Sequence, residues 1–161
     1  MGMATIVLVD PQIPQNTGTI ARLCAATGTP LVLVGTLGFS LSDKYLKRAG
    51  LDYWDEVQWR HEPDTAHFFD DIASTASMWF FSSRATMAYT DVAYPPNSYM
   101  IFGSETDGLP AWIKDRFMDR LVTIPMVNKR VRSLNLANAV SVGLYEVIRQ
   151  QGLALAEGAA V

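Results

Sequence analysis

A chain of 161 residues with 49% hydrophobic and 18% charged residues has the balance of one globular domain with a substantial core. Its 13 Lys and Arg against 16 Asp and Glu leave a net charge of −3, which excludes a generic polyanion binder and directs attention to local charge. The single cysteine, Cys24, excludes a disulfide scaffold, and no apolar run is long enough to cross a bilayer.

Ala4 to Val9 (ATIVLV) is a continuous, largely β-branched apolar run, the pattern of a strand buried on both faces. The loop DPQIPQNTG follows. Asn16 or Thr17 is then placed to cap a helix with Ile20, Leu23, Cys24 and Thr27 on one face, ended by Gly28 and Pro30. Leu31 to Val34 (LVLV) is a second buried strand, and the resulting β-α-β unit predicts a parallel sheet with a right-handed crossover. Ser42-Asp43 caps a short helix with Lys44, Lys47 and Arg48, ended by Gly50; Tyr53 to Trp59 reads as a strand and Pro63 to Ile72 as a short acidic helix. Met78 to Phe81 (MWFF) and Tyr99 to Phe102 (YMIF) are strands on either side of a polar stretch with a Pro95-Pro96-Asn97 turn. Leu109 to Phe117 is a helix with Pro110 in its first turn, and Leu121 to Ile124 a last strand. A final helix is capped by Ser133, with Leu134, Ala137, Val140, Ser141, Leu144, Val147 and Ile148 on its buried stripe. The expected organisation is one α/β domain over residues 1–152, with a mostly parallel sheet and flanking helices, and a frayed tail over 153–161.

Charge is segregated. Seven of the sixteen acids lie between Asp52 and Asp71, whereas Lys44, Lys47 and Arg48 form one basic group and Lys129, Arg130 and Arg132 another. A local basic face can hold nucleic acid on a chain that is acidic overall; ordinary solvated surface is the alternative for either group taken alone. Cys24 falls on an apolar helix face and reads as a buried thiol, and His61 and His67 lack the company of metal ligands, so no metal is expected. The start MGMATIVLVDPQ lacks the basic and apolar regions of a signal peptide, which points to the cytoplasm.

In an open α/β sheet, nucleotide ligands sit beyond the carboxyl ends of the strands. Three loops qualify: PQNTGTIAR after the first strand, FGSETDGLP after YMIF, and PMVNKRVRSLN after the last strand. Neither GxGxxG nor GxxxxGK[ST] occurs, and there is no nucleophile elbow, which disfavours dinucleotide oxidoreductases, P-loop nucleotidases and serine hydrolases. The ordered set Asn16-Thr17-Gly18 with Arg22, Phe102-Gly103-x-Glu105-x-x-Gly108-Leu109-Pro110, and Ile124-Pro125-Met126 with Ser133-Leu134-Asn135-Leu136 and Asn138-Ala139-Val140 resembles the three motifs of the SPOUT superfamily of RNA methyltransferases. More narrowly, it is similar to the small tRNA 2′-O-ribose methyltransferases that act on the wobble nucleotide. Lys47 to Trp54 (KRAGLDYW) resembles a further segment of those enzymes, and the likeness runs from about Ile6 to Gln150.

The resemblance implies a deep C-terminal trefoil knot, S-adenosyl-L-methionine as cofactor, tRNA as substrate and a homodimer. The implied cofactor-binding residues are Phe81, Gly103, Glu105, Ile124, Met126, Ser133 and Leu134, with apolar side chains for packing and main-chain groups for the adenine edge. The implied catalytic residues are Arg22, Asn16, Ser133 and Asn135. Because a guanidinium does not lose its proton, Arg22 suits gripping a phosphate and stabilising alkoxide charge, with the other three orienting the ribose. Lys47, Arg48, Lys129, Arg130 and Arg132 are the expected RNA phosphate contacts. A relative acting on another tRNA position or on rRNA, and a non-catalytic RNA-binding dimer of the same fold, are the alternatives.

Overall fold

The computed structural model describes residues 4–42, 44, 46, 48 and 53–152. Six parallel strands, β1 (Ala4–Val9), β2 (Leu31–Val34), β3 (Trp59–Glu62), β4 (Met78–Phe81), β5 (Ser98–Phe102) and β6 (Leu121–Val122), lie in the order β3-β2-β1-β5-β4-β6. The apolar runs IVLV, LVLV, MWFF and YMIF form the centre. Their side chains alternate between two cores, so Ile6, Leu8, Leu31, Leu33, Met100 and Phe102 face one and Val7, Val9, Val32, Val34 and Ile101 the other. Helices α1 (Pro14–Thr27) and α4 (Leu136–Gln151) cover the first core; α2 (Thr65–Ala73) and α3 (Ala111–Arg116) cover the second. The result is three layers, helix, sheet and helix.

Several local expectations are corrected. The strand expected over Tyr53 to Trp59 is a 3₁₀ turn at Trp54–Glu56 followed by β3, whose polar WRHE sequence fits an edge position. Helix α1 starts at Pro14 without a side-chain cap from Asn16 or Thr17, which both lie inside it. Helix α4 is capped by Asn135 rather than Ser133: its side chain accepts from Asn138 N at 3.2 Å, and Leu134 precedes the helix, exposed. The last strand is two residues long and continues only as a parallel bridge between Thr123 and Ala88. Asp43, Lys47, Gly50 and the 153–161 tail lie outside the described residues.

The loop from β4 to β5 is fastened at two places. Thr123 exchanges backbone hydrogen bonds with Met87 and Tyr89. Gln150 at the end of α4 accepts from Tyr94 N at 3.0 Å and donates to Val92 O at 2.9 Å and to Glu146 Oε1 at 2.9 Å. These contacts hold the middle of the segment whose first residues, Ser82 to Arg84, enter the site.

Candidate active site

Because every strand is parallel, the loops after β1, β4, β5 and β6 all emerge at one edge, and they enclose a cavity of about 540 Å³. Its lining includes Asn16, Phe81, Gly103, Glu105, Ile124, Met126, Arg132, Ser133, Leu134 and Asn135, so the residues expected from three separate stretches of sequence meet in one place. The volume is ordinary for a small-molecule site.

Three side chains tie the loops together. Glu105 accepts from the backbone N–H groups of Gln12 at 3.0 Å and Ile13 at 2.6 Å, and from Asn16 Nδ2 at 3.3 Å. Asn16 Oδ1 in turn accepts from Asn135 Nδ2 at 3.0 Å, and Asn135 Oδ1 caps α4. The Glu105 carboxylate therefore supplies the anionic cap that α1 lacks in its own sequence, at the helix end where the dipole favours negative charge.

Glycine sets the shape of the β5–α3 loop. Ser104 and Gly108 exchange backbone hydrogen bonds at 3.2 and 3.0 Å, closing a tight hairpin in which Gly108 has a left-handed φ of 67°. A Cβ on Gly103 would overlap the backbone of Gly108 and Leu109. The close approach that demands glycine there is thus the loop folding on itself, not a ligand. Phe81 and Phe102 stack at 4.4 Å between ring centroids as the apolar floor. Among the described residues, the main-chain N–H and C=O groups of Ile124, Met126 and Leu134 have no hydrogen-bond partner although they border the cavity. Unpaired main-chain groups beside apolar side chains fit the edge and faces of an adenine, so the residues present suit S-adenosylmethionine.

Other expected site residues are not brought to the cavity. Arg22 is the ninth residue of α1, about 12 Å along the helix at 1.5 Å per residue. It is exposed, with its guanidinium over the Tyr53 ring at 5.0 Å. Lys129 and Arg130 are exposed on the β6–α4 loop without lining the cavity, and Arg48 is exposed elsewhere. Arg132 does line it and donates to Thr106 O at 3.3 Å. Sequence reasoning missed Ser82, Ser83, Arg84 and Lys114, which also line it. The available signal was position alone: SSR follows a buried strand of a parallel sheet, so it emerges at the same edge as the other three loops.

The cations at this edge lack carboxylate partners, as do Arg22 and Arg48 elsewhere among the described residues. Among the described residues Arg60, Arg116, Arg120 and Arg149 each have a carboxylate within 4 Å, whereas Arg84, Lys114, Lys129, Arg130 and Arg132 have none. Burial pushes the Cys24 thiol up to about 12, consistent with an inert core position. Among the described residues no group of His, Cys, Asp or Glu is arranged to hold a metal, and no helix is long and apolar enough to cross a membrane.

A parallel sheet with a cavity of this lining across its carboxyl-end loops defines an α/β protein that binds a nucleotide-like small molecule. The chain belongs to the SpoU rRNA Methylase family, whose profile matches residues 3–145. It is similar to the tRNA (cytidine(34)-2′-O)-methyltransferase of Yersinia pestis, with 45% identity over 155 residues, 93% of this chain and 95% of that protein. A solved structure from work on the 2-OH methylation of C/U34 on tRNA superposes with a TM-score of 0.87 at 43% identity, covering 92% of this chain and 95% of the other. AviRb of Streptomyces viridochromogenes, solved with AdoMet, shares the fold at a TM-score of 0.82 and 23% identity, over 91% of this chain and 60% of that one.

Proposed function

We propose that this protein transfers a methyl group from S-adenosylmethionine to the ribose 2′-hydroxyl of the wobble nucleotide of tRNA, cytidine 34 or a uridine in its place. The observation that carries the reading is the meeting of three loops in one cavity, joined through Glu105, Asn16 and Asn135, in a chain 45% identical to an enzyme of that name. Bound there, the cofactor supplies a sulfonium methyl as the electrophile. What remains for the chain is to hold the hydroxyl in line and to accommodate the charge that appears on its oxygen.

Phe81, Ile124, Met126 and Leu134 provide packing and main-chain partners for the cofactor, and Ser133 with Asn16 and Asn135 faces the ribose. Arg22 is assigned to an RNA phosphate rather than to proton removal, because it stands outside the cavity of its own chain and a guanidinium keeps its proton. Arg84, Lys114, Lys129, Arg130 and Arg132 present unpaired charge to the phosphates flanking the target. We further assign to this chain the trefoil knot and homodimer implied by its family resemblance, a single catalytic domain over residues 1–152, and a place beside tRNA in the cytoplasm.

The test is methylation of tRNA from cells lacking this gene, with mass-spectrometric mapping of ribose methyl groups. One new methyl at position 34, dependent on the cofactor, is the expected result. Methylation at another tRNA position or in rRNA replaces the substrate assignment; no transfer, with the cofactor bound, removes the enzyme reading. Sedimentation of the purified protein at micromolar concentration gives the dimer mass, or refutes the dimer.

A further inference from the structure

Hydrogen-bond polarity in the Glu105–Asn16–Asn135 chain is fixed from both ends. A carboxylate can only accept, so the Asn16 amide must turn its nitrogen to Glu105 and its oxygen to Asn135. At the other end the backbone N–H of Asn138 can only donate, so Asn135 must turn its oxygen to the helix and its nitrogen to Asn16. Neither amide can flip without breaking an end. Each amide nitrogen has a second hydrogen, and among the described residues neither of these has a partner. Both residues line the cavity.

We propose that Glu105 is a positioning residue, not a cofactor ligand, and that it and the first turn of α4 force Asn16 and Asn135 to present N–H donors to the substrate oxygen that loses its proton. The bonds that change are the C–S bond broken and the O–C bond formed; the hydroxyl proton leaves to solvent. Two fixed donors stabilise the charge that proton leaves behind, at no reorganisation cost during the step. The inference rests on the ribose-methylation reading above for the identity of that oxygen.

Asn16→Asp removes the Asn16 donor and sets two carboxylates against each other, so it is expected to lower both melting temperature and kcat. The double variant E105Q/N16D restores the contact between the two side chains with its direction reversed, since the Gln amide donates to the Asp while Asn135 still donates from the far side; the bond that Glu105 Oε2 accepts from Ile13 N–H is given up in exchange. Its melting temperature is expected to rise above that of Asn16→Asp, short of wild type by the lost Ile13 bond, and its affinity for S-adenosylmethionine by calorimetry to stay within about threefold of wild type. Its kcat is expected to remain about 100-fold low, the scale for loss of one such donor. Recovery of kcat with stability would overturn the donor role, and loss of cofactor binding by the folded double variant would restore Glu105 as a ligand.

A readout without turnover separates this from the substrate assignment. In nitrogen-15 spectra of the cofactor-free wild type, the side-chain amides of Asn16 and Asn135 each show one hydrogen-bonded and one free proton. If they do and no tRNA is methylated, the polarity stands and the substrate reading fails. If either amide shows no hydrogen-bonded proton, the polarity fails whatever the substrate.

Discussion

Gly143 lies mid-way along α4, where replacing glycine by alanine ordinarily stabilises a helix by about 1 kcal/mol. Here the added Cβ would stand 2.9 Å from Phe81 Cε1 and 3.0 Å from Phe81 Cζ, with Met100 Cε at 3.2 Å. The Phe81 ring is stacked on Phe102 and borders the cavity, so a ring displaced by the new Cβ alters the floor on which the cofactor packs. Gly143→Ala is therefore expected to raise the cofactor dissociation constant several-fold with no gain in melting temperature. Calorimetry and a thermal scan check both halves. At Gly103 there is no room to yield, because the obstacle is backbone; Gly103→Ala is expected to cost about 1–3 kcal/mol and to abolish cofactor binding.

Helix α4 carries a carboxylate that behaves unlike a surface acid. Hydrogen bonds from Arg149 and Gln150 hold Glu146 down to about 2 from an ordinary 4.5, against the opposing effect of burial. A depressed folded-state value means that the stabilisation is present above pH 4.5 and is lost as pH falls toward 2. Glu146→Gln is expected to flatten the decline of melting temperature across that window, which a pH series of thermal scans measures. Gln150→Ala removes the fastening of Val92 and Tyr94, at a cost of about 2 kcal/mol for two such bonds, and loosens the loop that brings Arg84 to the site.

The same scale shows what sequence could and could not convey. ATIVLV, LVLV and MWFF matched their strands residue for residue, because a fully buried strand is written as an unbroken apolar run. WRHE carries no such mark, since an edge strand is recognised only by its neighbour. Caps were misplaced for a related reason. Ser133 and Asn135 are both capable residues two apart, and what selects Asn135 is its second bond, to Asn16, 119 positions earlier. The cavity was legible as three loops; the role of Glu105 was not, because its partners are backbone amides of a distant turn.

Across the whole molecule, net negative charge coexists with an edge whose cations are unpaired. Binding of tRNA is expected to weaken steeply with salt, and Arg84→Ala to reduce the slope of log K against log salt by about 1, as measured by filter binding. A flat response in wild type would remove this edge as the RNA surface. The sheet ends in two short margins: β3, where Arg60 and Glu62 pair at 2.9 Å, and β6, two residues long. Neither offers another chain a ladder of open backbone groups to zip onto. Contact between two copies would therefore rest on side chains rather than on added strands. The architecture thereby disfavours endless ribbons, and crowding this protein should concentrate it without seeding fibres.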